Sequence, residues 1–142
     1  MNKYDKLKNK QQEEFNSFPM AFAYSEEQFK EGLKKLGLTE NETDKIVATS
    51  CAGFIRKSDV QKFLELTDKL EEELNNAINE DTTGEGFIFD MFVSELQNHE
   101  FSYTGSIDDT LMALCLSEKD FEENKALLNG LNLAIKYINK GE

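Results

Sequence analysis

Few residues in this chain of 142 are of the types that usually carry chemistry. It holds one histidine, His99, and two cysteines, Cys51 and Cys115. Covalent catalysis needs a nucleophile beside a base, and a metal or phosphate site needs a ligand cluster or a glycine-rich cradle. None of these combinations is evident in the sequence. We therefore predict no catalytic residue and no cofactor.

Glu95 and His99 form the pair best placed for chemistry, because residues four apart share one face of a helix. A carboxylate beside an imidazole can act as an acid/base couple or form one edge of a metal site. A metal would need further ligands, and Asp108 and Asp109 are the carboxylates that the chain could bring back to this place. The alternative is that His99 is a surface or hydrogen-bonded structural histidine.

The twelve residues 79–90, between two predicted helices, resemble a calcium-binding loop in part. Four candidate ligands occupy its positions 1, 3, 5 and 12: Asn79, Asp81, Thr83 and Asp90. Gly84 stands at the sharp turn, but the loop lacks the usual aspartate at position 1 and glutamate at position 12. The alternative is a plain helix–helix connection in which Thr82 and Glu85 form a capping box. The metal hypothesis rests on four residues: Glu95, His99, Asp81 and Asp90.

The two cysteines stand too far apart for a zinc pattern or a disulfide framework. Cys51 lies in a loop of small residues, where a nearby base could make its thiolate nucleophilic, and His99 is the only imidazole that could serve. Cys115 lies in the apolar run Leu111–Leu116, which is typical of a free cysteine that is buried as a small hydrophobic residue.

The chain is strongly acidic, with a formal net charge of -12 at pH 7. Acidic residues are densest between positions 65 and 90. The predicted partner-binding face consists of seven of them: Glu65, Asp68, Glu71, Glu72, Glu73, Glu80 and Asp81. Direct nucleic-acid binding needs the opposite charge, because Lys and Arg supply the attraction to phosphate. We expect either a solvated acidic surface or one that faces a basic surface on a partner protein.

Capping boxes mark the starts of the helices that would position these residues. In each box two side chains accept each other's free backbone N–H groups. Five pairs fit the pattern: Ser25 with Gln28, Thr39 with Glu42, Ser58 with Gln61, Ser106 with Asp109, and Ser117 with Asp120. Apolar spacing predicts a helix that ends at Gly37, a long helix over 59–79, a central one that begins at Phe87, and a final one over 118–139.

Short apolar segments predict a minor β element. Lys45–Ala48 and Gly53–Arg56 flank a small-residue loop and predict a hairpin, and Phe101–Thr104 is a candidate third strand. Met20–Tyr24 is predicted to be an extended segment or a short buried strand. The predicted fold is therefore α+β and predominantly α-helical. It comprises a polar N-terminal helix or arm over 1–14 and a single compact α-rich domain over 15–142, with a two- or three-stranded β element.

The sequence also bears on localisation. No apolar run approaches the roughly 18 residues of a membrane span, and the lysine-rich start differs from a secretory signal. These observations predict a soluble, cytoplasmic protein with no membrane partner.

Five aromatic residues cluster around the single proline: Phe15, Phe18, Phe22, Tyr24 and Phe29. Aromatic side chains dominate both protein cores and interfaces. We expect most of this set to pack in a core, and the alternative is that it docks on a neighbouring subunit.

The segment Phe15–Tyr24 resembles the opening of a family of small uncharacterised acidic proteins from Gram-positive gut bacteria, their phages and mobile elements. The resemblance continues through further segments and covers most of the chain: Gln28–Phe29, Gly53–Lys57, Asn98–Glu100, Thr104–Ile107 and Asp109–Leu111. It implies no activity, cofactor or site residue. It does imply a context, that of a mobile-element accessory protein, in which small acidic proteins often block a host nuclease or regulator.

The leading prediction is a non-enzymatic, acidic protein-binding module that inhibits a host defence protein or nucleic-acid-binding protein. Charge complementarity would make its association fast and salt-sensitive. The alternatives are a small metal-dependent or hydrolytic enzyme centred on His99, and a structural homo-oligomer in which the polar N-terminal helix docks on a partner.

Overall fold

The structure is a computed structural model that describes residues 2–141, and it confirms a mainly helical α+β fold. Its α-helices are α1 (Lys3–Asn16), α2 (Glu26–Lys35), α3 (Val60–Glu80), α4 (Phe87–Asn98), α5 (Phe101–Thr104), α6 (Asp108–Ala113), α7 (Glu118–Glu123) and α8 (Lys125–Lys140). Its strands are β1 (Ala21–Phe22), β2 (Ile46–Ala48) and β3 (Gly53–Arg56). Within residues 2–141, no helix has the length and apolar character needed to cross a membrane.

Backbone contacts divide the chain into two units. The first unit joins the residues up to Lys10 with those from Glu72 onward, and the second is Gln11–Glu71. The division falls within α1 and within α3. The first unit is therefore built from two separate parts of the sequence.

A three-stranded antiparallel sheet forms the centre of the second unit. Its strand order is β1-β3-β2, and Val47 of β2 pairs with Ile55 of β3, as the predicted hairpin requires. Helix α2 covers the sheet through Leu33 and Leu36, which are buried with Phe54 of β3. Two 3₁₀ turns, Thr43–Lys45 and Lys57–Asp59, complete this unit.

Helix α2 begins and ends with the local signals that its sequence carries. The Ser25 side chain accepts the backbone N–H of Gln28, at an N–O distance of 3.2 Å. The Gln28 side chain accepts the N–H of Tyr24 at 2.8 Å, one residue before the position that a capping box uses. Gly37 follows the C-cap residue Leu36, and its φ of +78° is the left-handed conformation that glycine adopts without steric penalty.

Helices α4 and α8 form the centre of the first unit. Four residues of α4 have no exposed surface: Ile88, Met91, Phe92 and Leu96. They pack with Leu127, Leu131 and Ala134 of α8 in one apolar cluster. Tyr4 of α1 is also buried in this cluster, so the polar N-terminal helix has an anchor in the core.

The prediction of a strand at Phe101–Thr104 is wrong, because this segment is the short helix α5. Glu100 adopts a left-handed conformation with φ of 57° and turns the chain sharply after α4. The N–H groups of Tyr103 and Thr104 both bond to the Glu100 carbonyl, which closes a helical turn. The third strand of the sheet is β1, in the segment predicted to be extended.

The predicted final helix over 118–139 is two helices, α7 and α8. Ser117 and Asp120 form the predicted capping box at the start of α7. Asn124 breaks the helix with φ of -135° and ψ of 100°, and its side chain accepts the N–H of Leu127 to begin α8. An asparagine inside an apolar helical pattern thus serves as a new N-cap.

Cys115 is exposed, contrary to the prediction that it is buried. It follows α6 with φ of 55°, and the next N–H, that of Leu116, bonds back to the Leu111 carbonyl at 2.9 Å. This is the bonding of a helix C-terminus that normally ends on glycine. Its neighbours Leu114 and Leu116 are half-buried, while the cysteine itself lies at the turn.

Candidate functional site

The pair Glu95 and His99 lies at the C-terminal end of α4, with His99 Nε2 3.6 Å from Glu95 Oε2. The other carboxylate oxygen accepts the Tyr4 hydroxyl at 3.1 Å and the Asn98 amide at 3.3 Å. Burial and the charge of Glu95 both raise the pKa of Tyr4, so the phenol stays a hydrogen-bond donor. Glu95 is thus held by three side chains on two helices.

Helix α6 reaches the same place through Thr110, which is fully buried and donates to the Glu95 carbonyl at 3.4 Å. Asp108 and Asp109 of α6 are both exposed. Within residues 2–141, no group of three or more histidine, cysteine, aspartate or glutamate residues is arranged to hold a metal ion. The structure does not gather Glu95, His99, Asp81 and Asp90 into such a group.

Asp81 organises the connection between α3 and α4 by accepting backbone N–H groups. The N–H groups of Gly84, Gly86 and Ile88 lie 3.0 Å from its carboxylate oxygens. Burial by itself would raise the pKa of Asp81, but these hydrogen bonds stabilise the charged form and hold the pKa below its ordinary value. Asp81 therefore acts as an acceptor at the N-terminus of α4, in place of the predicted Thr82–Glu85 box.

Asp90 performs a similar task for α1. Its side chain accepts the N–H of Lys3 at 3.0 Å, and the Asn2 side chain bonds to Ser94 Oγ at 2.9 Å. Asn2 Oδ1 also accepts the N–H of Asp5, which caps α1. Both aspartates of the suspected calcium loop, Asp81 and Asp90, thus satisfy free N–H groups at helix N-termini.

The same loop lies directly against α8. A Cβ atom on Gly84 would collide with the Ala126 carbonyl, and one on Gly130 would collide with Ile88 Cγ2 and lie 2.9 Å from the Gly84 carbonyl. Asn129 donates to the Thr83 carbonyl at 2.7 Å. These contacts require glycine at two positions and fix the path of the loop.

Cys51 lies at the exposed tip of the β2–β3 hairpin. Cys51 and Ala52 have φ values of 58° and 62°, and the Gly53 N–H bonds to the Ser50 carbonyl at 3.2 Å. Two consecutive positive φ values are those of a type I′ turn, which usually carries Asn-Gly. Cys51 belongs to the second unit and His99 to the first.

The predicted acidic face divides into exposed and engaged residues. Five of the seven are exposed: Glu65, Asp68, Glu71, Glu72 and Glu80. Glu73 is half-buried and pairs with Lys10 at 3.2 Å. Asp81 is engaged in the α4 cap described above. The exposed carboxylates therefore belong to helix α3, which has no buried residue along its 21 positions.

The aromatic set also divides. The rings of Phe15 and Phe18 pack edge-on against Phe63 of α3, at centroid distances of 6.1 and 5.5 Å. Phe22 and Tyr24 are 48% and 79% exposed on the other side of the proline. Phe15 and Phe18 thus pack against another helix, as predicted for a core, whereas Phe22 and Tyr24 are exposed.

Several of these roles carry no local sequence signal. The contact of Tyr4 with Glu95 joins residues 91 positions apart, and that of Lys3 with Asp90 joins residues 87 apart. The signal that was available is the spacing from Asp81 to the glycines at 84 and 86, which suits an acidic side chain that accepts several N–H groups of a tight loop.

Comparison with known proteins gives one match. A model of a family of unknown function, DUF7659, matches residues 3–137. Neither curated proteins nor solved structures include a match to the chain. The match covers nearly the full length of the chain, and the chain belongs to this family of unknown function.

Proposed function

We propose that this protein is a non-enzymatic binding module that presents the exposed carboxylates of α3 to a basic surface on a partner protein. The observation that carries the proposal is the group Glu65, Asp68, Glu71 and Glu72, which we call the α3 acidic face. Residues three, four and seven apart lie on one side of a helix, so Glu65, Asp68 and Glu72 point in similar directions.

In the part of the chain that the structure describes, the carboxylates of the α3 acidic face are not neutralised by neighbouring cations. Within residues 2–141, none of its four carboxylates forms an ion pair with a lysine or arginine. Lys69 of the same helix pairs with Glu14 at 3.2 Å. A surface of net negative charge steers an oppositely charged partner and raises its association rate.

The expected partner is a protein whose basic surface otherwise binds nucleic acid. A row of carboxylates along a helix can occupy a groove that attracts phosphates, because both are regularly spaced negative charges. Its occupation would inhibit that protein. The resemblance to mobile-element proteins fits such a role in the cytoplasm of a host, with a defence or regulatory protein as the target.

The test is charge reversal on the face with a matched control elsewhere. Partners are captured from a nuclease-treated host lysate, and association rates of the purified partner are then measured by surface plasmon resonance at low and high salt. We expect Glu65→Lys/Asp68→Lys/Glu72→Lys to slow association about tenfold or more at low salt.

The control is Glu31→Lys/Glu40→Lys/Glu122→Lys, which changes the net charge equally at exposed positions outside α3. It should slow association much less. Circular dichroism and thermal unfolding of both variants exclude loss of fold as the cause. Equal association rates for the two triple variants would show that net charge acts without this face, and the proposal would be rejected.

A further inference from the structure

A cleft of about 600 Å³ opens in the first unit between the C-terminal part of α3 and the junction of α7 with α8. Its eight lining residues are of three kinds: apolar (Ile78, Leu116, Leu127), carboxamide (Asn75, Asn79, Asn124) and carboxylate (Asp120, Glu123). None of the eight is positively charged. A volume of this size is within the range of protein sites for small ligands.

The apolar residues supply a surface for a hydrocarbon segment. Leu127 is buried at 2% exposure, and Ile78 and Leu116 are half-buried within the core cluster of this unit. Long charged side chains commonly lay their methylene groups on such apolar surface and keep the charged end in a polar setting.

The polar residues of the cleft are partly held in position by the helix caps. Asp120 accepts the Ser117 N–H at 2.8 Å, and Asn124 accepts the Leu127 N–H at 3.2 Å. Glu123 lies 3.8 Å from Lys119, with both side chains more than half exposed. Such an exposed pair is weak and exchanges readily for a better partner.

The lining selects a cation that carries several N–H donors and a hydrocarbon stem. Two carboxylates disfavour a phosphate or carboxylate ligand, and the carboxamide oxygens of Asn75 and Asn79 add neutral acceptors. A planar guanidinium offers five N–H donors and pairs with carboxylates, whereas an ammonium offers three from a single point.

We infer that this cleft binds the guanidinium group of an arginine side chain supplied by the partner protein. The inference rests on the proposed function and names the side chain that the basic partner would insert. Arginine is among the residues that most often dominate binding at interfaces, because it combines a long apolar stem with a charged, multidentate end.

The test uses the full chain and a small probe, Nα-acetyl-arginine amide, followed by ¹⁵N–¹H correlation spectra. We expect saturable shifts at the lining residues with a Kd of about millimolar, and weaker binding at high salt. The neutral isostere Nα-acetyl-citrulline amide should produce no saturable shift at these residues. Shifts elsewhere only, or equal shifts from both compounds, would overturn the inference.

Two variants with opposite expected effects keep the test independent of any loss of stability. Glu123→Gln should weaken binding of the arginine probe about two- to fivefold, and Asn75→Asp should tighten it by a similar factor. Glu122→Gln, which removes a charge from an exposed neighbour on α7, should leave the Kd unchanged. Identical Kd values in all three variants would refute the cleft as the binding site.

This experiment separates the cleft from the α3 acidic face. The variant Glu65→Lys/Asp68→Lys/Glu72→Lys is tested both for probe binding and for association with the partner. If both are unchanged, the cleft is supported as a binding site and the proposed function is rejected. If the variant loses association with the partner and the wild type does not bind the probe, the proposed function is supported and the cleft is rejected.

Discussion

Single side chains that cap helices determine where several helices of this protein begin. Asp81 and Asp90 were candidates for a metal site by sequence, and each instead accepts backbone N–H groups at a helix N-terminus. Carboxylates are favoured there because the free N–H groups and the helix dipole both stabilise negative charge. Acidic residues that follow a calcium-loop spacing can thus serve as helix caps.

Replacement of Asp81 tests its capping role. We expect Asp81→Asn to lower the free energy of unfolding by about 1–2 kcal/mol at pH 7, because hydrogen bonds to a charged acceptor are replaced by weaker ones. The pKa of Asp81 is lowered in the folded protein, so the stability it contributes is present above the unfolded pKa of about 4 and is lost as the pH falls below that value.

The measurement is urea unfolding of both proteins at pH 7 and pH 3, followed by circular dichroism. The difference between wild type and variant should shrink at pH 3. Glu85→Gln, at an exposed position of the same loop, should have almost no effect at either pH. A difference of the same size at both pH values would show that the charge of Asp81 is not what stabilises the loop.

Gly130 gives a second prediction at this scale. Alanine would raise helix propensity, but its Cβ would collide with Ile88 Cγ2 and press on the Gly84 carbonyl. We expect the cost of this steric overlap to exceed the gain in helix propensity. Gly130→Ala should therefore destabilise the protein by about 1–3 kcal/mol, measured by thermal unfolding. Asn132→Ala, at an exposed position of α8, should be neutral or slightly stabilising, and a similar result for Gly130→Ala would contradict the close approach.

At the scale of elements, turns decide where helices and strands begin and end. Among residues 2–141, four residues other than glycine have positive φ: Cys51, Ala52, Glu100 and Cys115. A left-handed conformation costs about 1–2 kcal/mol for a residue with a Cβ atom. Each of the four lies at a turn between elements, so the strain is concentrated in the connections.

The β2–β3 hairpin should be stabilised by better turn residues. We expect Cys51→Asn/Ala52→Gly to raise the free energy of unfolding by about 1–2 kcal/mol, because Asn-Gly fits the type I′ turn. Chemical denaturation under reducing conditions measures the change. Ser50→Asn, one position before the strained pair, should change it by less than about 0.5 kcal/mol. An unchanged or lower value for the double variant would contradict the turn geometry.

The elements that could be predicted from sequence are those with local determinants. The Ser117–Asp120 box and the hairpin at 46–56 depend on residues a few positions apart, and both are confirmed. Phe101–Thr104 was mistaken for a strand because its aromatic and β-branched residues suit a strand, whereas Glu100 closes a helical turn there. The contact between Tyr4 and Glu95 depends on packing between distant segments, which no local pattern encodes.

At the scale of the whole molecule, charge is the dominant property. A formal net charge of -12 on 142 residues destabilises the folded state through repulsion between like charges. The few ion pairs, such as Lys10 with Glu73 and Lys69 with Glu14, compensate only part of it. The stability of the fold should therefore respond to ionic strength.

We expect the melting temperature to rise by several degrees between about 20 and 500 mM NaCl, because the Debye length shortens from about 20 Å to about 4 Å and the added salt screens the repulsion. Differential scanning calorimetry measures this shift. The control variant Glu31→Lys/Glu40→Lys/Glu122→Lys moves the formal charge from -12 to -6 and should show a smaller shift. A melting temperature that falls with salt in the wild type would indicate that ion pairs outweigh repulsion.

The discontinuous first unit sets an order of events during synthesis on the ribosome. Asn2 and Lys3 are made before their partners Asp90 and Ser94, which follow 87 or more residues later. At about 5–20 residues per second, that interval lasts roughly 4–18 s. Gln11–Glu71 is complete before those partners are made, whereas residues 3–10 of α1 are short and polar on their own and should remain largely unfolded until α4 is translated. The start of α1 is therefore the last part of that helix to be secured, and it stays accessible to chaperones and proteases for that time.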